Sequence, residues 1–176
     1  MNRSFNPNPV PSQAEQMEAA KAQLTRQMQN SAKNFYWIAA LSFINSLITA
    51  FGGEFYLVMG LASTLFVDYF AVGMAEEAPE LKLVFTGVAL VISLVISGVM
   101  ALFGYLAITG RRWVFVLGMI CYGVDTLIMV AFQEWKGVLI HLLFLYALFT
   151  GVRALNQLRK LESQPQTDFP QSIGTP

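Results

Sequence analysis

Apolar residues fall into four long blocks, at residues 35–51, 83–108, 113–132 and 137–152, which together hold one acid, Asp125, and no lysine or arginine. A helix on the surface of a soluble domain carries a polar face through every two turns, and these blocks carry none. Their length matches the roughly 17 to 25 residues that cross a bilayer as a helix, the form in which one segment satisfies its own backbone in hydrocarbon. The pattern predicts helical spans over about residues 34–52, 81–109, 113–133 and 137–156. Tyr36 and Trp37 stand at the start of the first, where amphipathic rings favour the headgroup level, and Gly52-Gly53 ends it. The short link Glu134-Trp135-Lys136 returns the last span beside the third as an antiparallel hairpin.

Residues 55–75 are apolar enough for a further span but carry Asp68 near the middle, with Gly60, Ser63, Thr64 and Gly73. The basic residues decide between the two readings. If this segment does not cross, the N-terminal segment, the Arg111-Arg112 link and Arg153, Arg159 and Lys160 share one side, nine basic residues against Lys82 and Lys136 on the other. If it crosses, the division becomes six against five. The positive-inside bias therefore predicts an all-α membrane bundle of four transmembrane helices plus a re-entrant or interfacial segment, with five spans as the alternative. Arg111 and Arg112 are the main topology determinants, both termini face the cytoplasm, and Glu54, Glu76, Glu77, Glu80 and Glu134 face outward.

Residues 1–33 read as a cytoplasmic segment. Its first eleven residues are rich in Asn, Pro and Ser and predict disorder, after which Ser12 and Glu15 have the spacing of a capping box. Met17, Ala20, Leu24 and Met28 recur at helical spacing, which predicts a short, weakly amphipathic helix on the membrane surface or on a partner; the plainer reading is a solvated helix leading into the membrane. A polar stretch this long before the first apolar block is unlike a signal peptide, so the first span is expected to stay as an anchor. Residues 157–176 form a polar tail, disordered from about residue 163.

Composition strengthens this picture. The chain is 55% hydrophobic and 12% charged, where soluble domains carry roughly one quarter charged residues. A formal net charge of zero gives no electrostatic case for nucleic acid. The single cysteine, Cys121, excludes an internal disulfide and reads as an inert buried thiol. There is no visible repeat to support an inverted-repeat transporter. No Walker loop, GxSxG, HExxH or paired CxxC is present, so no enzyme, cofactor or metal is expected.

Candidate chemistry lies in polar groups inside the apolar blocks, because an ionisable side chain at membrane depth is costly. Asp125 sits eight residues from Gln133, about 12 Å deep at 1.5 Å per residue. His141 lies about 7 to 8 Å deep on the neighbouring span and can meet Asp125 across the hairpin. Asn45 falls at about 9 Å on the first span, and a dipping 55–75 segment carries Asp68 at its tip, on one face with Gly60 and Thr64. Asn45, Asp68, Asp125 and His141 thus form a candidate intramembrane polar cluster, with Tyr122 and Tyr146 as further members. An acid beside an imidazole can exchange protons, which suggests a proton- or cation-responsive site; the plainer reading is hydrogen bonding that fixes helix packing. Thr86, Ala89, Ser93, Ser97, Ala101 and Gly104 form a small-residue stripe suited to close packing, and Arg111-Arg112 can also meet anionic lipid headgroups.

The stretch from Phe35-Tyr36-Trp37 to Gly52-Gly53, then Arg111-Arg112-Trp113 with Gly118-Met119 and Tyr122 to Asp125, resembles small uncharacterised multi-pass membrane proteins of bacteria over residues 34–156. The resemblance implies a bacterial inner-membrane location and carries no activity or site. The expected role is a structural, accessory or interaction component of the membrane; the alternative is an oligomeric proton- or cation-responsive transporter or channel. The expected partners are membrane lipid, a second copy of the chain or other membrane proteins.

Overall fold

The computed structural model describes residues 11–53, 57 and 60–163, and all their regular structure is helical. The elements are α1 (Gln13–Ala50), α2 (Ala62–Glu77), α3 (Lys82–Ile108), α4 (Arg112–Ala131) and α5 (Trp135–Glu162), with a 3₁₀ turn at Pro79–Leu81 leading into α3. Most of the two tails expected to be disordered, together with Arg3 and Glu54, lies outside the described residues. Three helical segments are long and apolar enough to cross a membrane: Pro79–Ile108, Arg112–Ala131 and Trp135–Glu162. The long α1 is not among them, because Ser42, Asn45 and Ser46 stand on its buried face where apolar residues would otherwise raise its hydropathy.

The N-terminal helix and the first apolar block form one continuous 38-residue helix. No glycine or proline lies between Ser12 and Gly52, so nothing interrupts the backbone hydrogen bonds. Ser12 and Glu15 form both halves of the capping box, at 2.7 and 3.2 Å, and the Ser12 backbone N–H, with a smaller part from its hydroxyl, holds the Glu15 carboxyl below its ordinary pKa. Met28 and Leu24 join the core with Leu155 of α5. The apolar stripe of this segment is therefore covered by the chain's own last helix over those positions.

The most extensive helix contact is between α1 and α3, which run antiparallel. Phe35 is fully buried at the centre, with Phe103 of α3 and Phe115 of α4 at ring-centroid distances of 6.2 and 6.1 Å. Small residues let the helices approach: a Cβ on Gly104 would stand 3.2 Å from that of Phe35, and one on Gly118 would stand 2.5 Å from the Phe35 ring. The α4-α5 hairpin packs Gly137 against Met129 at one end and Gly151 against Phe115 at the other. Ser31 of α1 donates to the carbonyl of Ala147, which fastens α5 to α1.

Beside its apolar core the bundle buries an unusual number of polar side chains and exposes many large apolar ones. Buried positions include Ser42, Asn45, Ser46, Asp68, Ser93, Asp125 and His141, whereas Val91, Val95, Leu127, Leu139 and Leu143 are exposed. Exposed apolar surface on this scale suits a hydrocarbon solvent, and the buried polar groups, short or hydrogen-bonded, sit within the apolar core.

α2 sits in an unusual place. After the turn at Gly52-Gly53 the chain doubles back along α1, so that Leu57 pairs with Asn45 and the Leu61 N–H donates to Ser42 Oγ at 2.8 Å. α2 then runs in the same direction as the end of α1, bringing Asp68 to Ser46. Its 16 residues span about 24 Å, less than the hydrocarbon core of a bilayer.

Candidate functional site

The N-terminus of α2 begins within the bundle, and its first residues have no side-chain cap of their own. A helix start leaves backbone N–H groups without partners, and burying them unpaired is costly. Asp125 of α4 supplies the missing acceptor: Oδ2 takes the Ala62 N–H at 2.7 Å and Oδ1 the Ser63 N–H at 2.9 Å. The carboxylate also lies at the positive end of the α2 dipole, where negative charge is favoured.

Asp125 is held from the other side by His141, whose Nε2 stands 3.1 Å from Oδ2. His141 Nδ1 lies 2.8 Å from the carbonyl oxygen of Gly137. A carbonyl only accepts, so Nδ1 carries a proton. The Nε2-to-Oδ2 contact then needs one more proton shared between the two side chains. An imidazolium-carboxylate pair and an imidazole-carboxylic acid pair both meet this requirement, and both have zero net charge. Tyr122 stacks on the imidazole with centroids 4.6 Å apart and planes 8° from parallel. Tyr122, Asp125 and His141 are thus one buried unit, two of them on one face of α4 at i and i+3.

Asp68 belongs to a separate group. Its two carboxylate oxygens accept from Ser46 Oγ of α1 at 2.6 Å and Ser93 Oγ of α3 at 3.2 Å. It borders a cavity of about 10 Å³, close to the space of a single water. Residues at the start of α2, rather than Asp68, form the deepest part of the returning segment, since Leu61, Ala62 and Ser63 are those bonded to Ser42 and Asp125.

Asn45 performs a third task. Its Nδ2 donates to the Leu57 carbonyl at 2.8 Å and its Oδ1 accepts the Leu57 N–H at 2.6 Å, the pairing a neighbouring strand would otherwise provide. The four residues singled out in the sequence therefore divide into three sets of bonds along the returning segment. Tyr146 points outward and takes no part. Ser42, Ser46 and Ser93 complete the arrangement and carried only weak signals: the first two share a face of α1 with Asn45, and Ser93 lies in the small-residue stripe of α3.

An apolar cleft of about 500 Å³ opens between α2 and the end of α4, lined by Leu65, Phe66, Tyr69, Phe70, Met129 and Phe132 among others. Ala62 lies on its wall, while Asp125 and His141 do not line it. Among the described residues no three His, Cys, Asp or Glu side chains come together to hold a metal ion. At the opposite end of the bundle, Arg159 of α5 donates to the Gly110 carbonyl at 3.0 Å and so joins Arg111 and Arg112 beside the α3-α4 turn. No protein-family model, curated protein or solved structure matches the chain.

Proposed function

We propose that this chain is a structural or accessory component of a bacterial inner membrane, with α1, α3, α4 and α5 crossing the bilayer and α2 re-entering from the outer face. Both termini are cytoplasmic in this reading. The observation that carries it is the use made of the intramembrane polar atoms: Asn45, Asp68, Asp125 and His141 all have partners within the chain, chiefly on the segment that doubles back. Irregular backbone at membrane depth is tolerated only where protein or water satisfies it, and these side chains provide that satisfaction. The charge distribution favours the same arrangement, as does the meeting of Met28 of α1 with Gly110 at one end of the bundle, which brings Lys33 and Arg111 toward the same side.

Labelling with a membrane-impermeant maleimide tests the topology. Single cysteines replace Lys33, Glu80 or Arg111 in a Cys121→Ser background. Positions 33 and 111 are expected to label from the cytoplasmic side and position 80 from the outer side. Labelling of 33 and 111 from opposite sides overturns the four-crossing reading.

A second reading is a proton-responsive transporter or channel, favoured by the single proton that Asp125 and His141 must share. It requires an ion flux or conformational signal that depends on pH in the native protein and loses that dependence in Asp125→Asn. A response of equal size in both proteins rejects it.

A further inference from the structure

We infer that the groove beside the α3-α4 turn binds the headgroup and one acyl chain of an anionic phospholipid. The groove, about 820 Å³ in volume, has a cationic end and an apolar wall. The cationic end is made by Arg111 and Arg112, which begin α4, and by Arg159, which reaches it from α5. The wall is Val116, Leu117 and Ile120, on one face of α4 and all exposed. Among the described residues no acidic side chain lines the groove, so none of those neutralises its three guanidinium groups from within it.

The positions of the three arginines are set by the fold. Gly110 adopts φ +77°, a left-handed conformation that lets α3 end and α4 begin within a few residues. Its carbonyl then accepts from Arg159 Nη2, which anchors a guanidinium 49 residues away in sequence to the turn. One of the five N–H donors of Arg159 is used in this bond, leaving the others for an anion. Guanidinium groups match phosphate oxygens in a bidentate fork, and their charge cannot be removed by ordinary pH. The first turn of α4 has no side-chain cap, which adds the positive end of a helix dipole to the same end of the groove.

The apolar wall selects the source of the phosphate. A soluble phosphate ester would use the arginines and leave Val116, Leu117 and Ile120 bare. A phospholipid places its phosphate on the arginines and its chain along the wall, in the order the groove presents them. Trp113 stands between the two, at the depth where indole favours the headgroup boundary. The inference rests on α3 and α4 crossing the bilayer, since only then does their turn lie at the headgroups.

Trp113 also supplies the measurement. In a Trp37→Phe, Trp135→Phe background it is the remaining tryptophan. The protein is reconstituted in phosphatidylcholine vesicles containing a minor fraction of brominated phosphatidylglycerol or, in parallel, brominated phosphatidylcholine. Stronger quenching by the brominated anionic lipid is expected, with the preference falling about fivefold for each guanidinium removed in the series Arg159→Gln, Arg112→Gln, Arg111→Gln. A triple arginine-to-lysine variant keeps the topology signal and is expected to retain only part of the preference, because the ammonium lacks the fork. Equal quenching by the two lipids in the native protein overturns the inference, as does a preference that survives the triple glutamine variant. Excess glycerol phosphate is expected to leave the preference intact; its abolition would mean a free-anion site and overturn the lipid assignment. Quenching by neither lipid would instead indicate that Trp113 is outside the bilayer, which rejects the topology on which the inference stands.

Discussion

Replacing Asp125 tests whether a side chain on α4 holds the start of α2 in place. In Asp125→Ala the N–H groups of Ala62 and Ser63 and Nε2 of His141 lose their shared partner. A buried donor left unpaired costs about 1–3 kcal/mol, so two backbone donors cost about 2–6 kcal/mol. Asp125→Asn is milder for a definable reason. Its amide oxygen still accepts from one backbone N–H, and its NH₂ can donate to a neutral Nε2, leaving one backbone donor unpaired. The expected loss is about half that of alanine. Side-chain hydrogen bonds in membrane proteins average only about 0.6 kcal/mol, because the unfolded segment finds other partners in the bilayer. A larger value is expected here since the donors are backbone groups at a buried helix start with no side-chain cap of their own. Reversible unfolding in lipid-detergent micelles would give the global loss, and maleimide labelling of Ser63→Cys in a Cys121→Ser background would report local release of α2. Equal losses for the two variants, or losses below 0.6 kcal/mol with unchanged labelling, would refute the capping role.

Asp68→Asn is expected to be nearly neutral in the same unfolding assay, because the hydroxyls of Ser46 and Ser93 can accept as well as donate whereas the backbone N–H groups facing Asp125 cannot; a loss as large as that of Asp125→Asn would contradict this. Gly118→Ala forces a Cβ to within 2.5 Å of the Phe35 ring, which is enclosed by Phe103 and Phe115, and overpacking of this kind costs about 1–3 kcal/mol of unfolding free energy. Asn45→Ala removes both bonds to Leu57 and is expected to raise labelling of a cysteine at position 57 while leaving one at position 100 in the core protected. The Glu15 carboxyl has a lowered pKa, so its contribution to the helix start is complete above the ordinary carboxyl range and is lost as pH falls through the lowered value. Amide exchange in the first turn of α1 should quicken on that acid side alone; Glu15→Gln should abolish this pH-dependent step, whereas Ser12→Ala should only shrink it, because the backbone N–H of residue 12 still donates to the Glu15 carboxylate.

The helical character of the chain and the presence of helices long and apolar enough to cross a membrane are legible in the sequence because both depend on composition over windows of about twenty residues. The blocks at 83–108 and 113–132 correspond closely to α3 and α4, whose ends are marked by Lys82, the Gly110-Arg111-Arg112 turn and Gln133. Such ends are local events: a backbone must break, turn or leave hydrocarbon there. The Ser12-Glu15 capping box is local for the same reason. The polar first half of α1 runs into its apolar half without a break. A helix continues through a change of solvent when no residue stops it.

What the sequence by itself determined was the identity of the residues that could not face lipid, Asp125 and His141 above all, since the cost of exposing them follows from their chemistry alone. Only the tertiary structure decided what they do. One set joins Asp125 and His141 to the start of α2, a second joins Asp68 to two serines, and a third ties Asn45 to Leu57. The partners are mostly backbone groups and hydroxyls from other segments, and any residue type can offer a backbone N–H. No pattern along the chain marks which one will be used. The placing of Leu61 against Ser42, and the arrival of Arg159 beside Gly110, are decided by which surfaces pack together, a property of distances in space that sequence spacing does not encode.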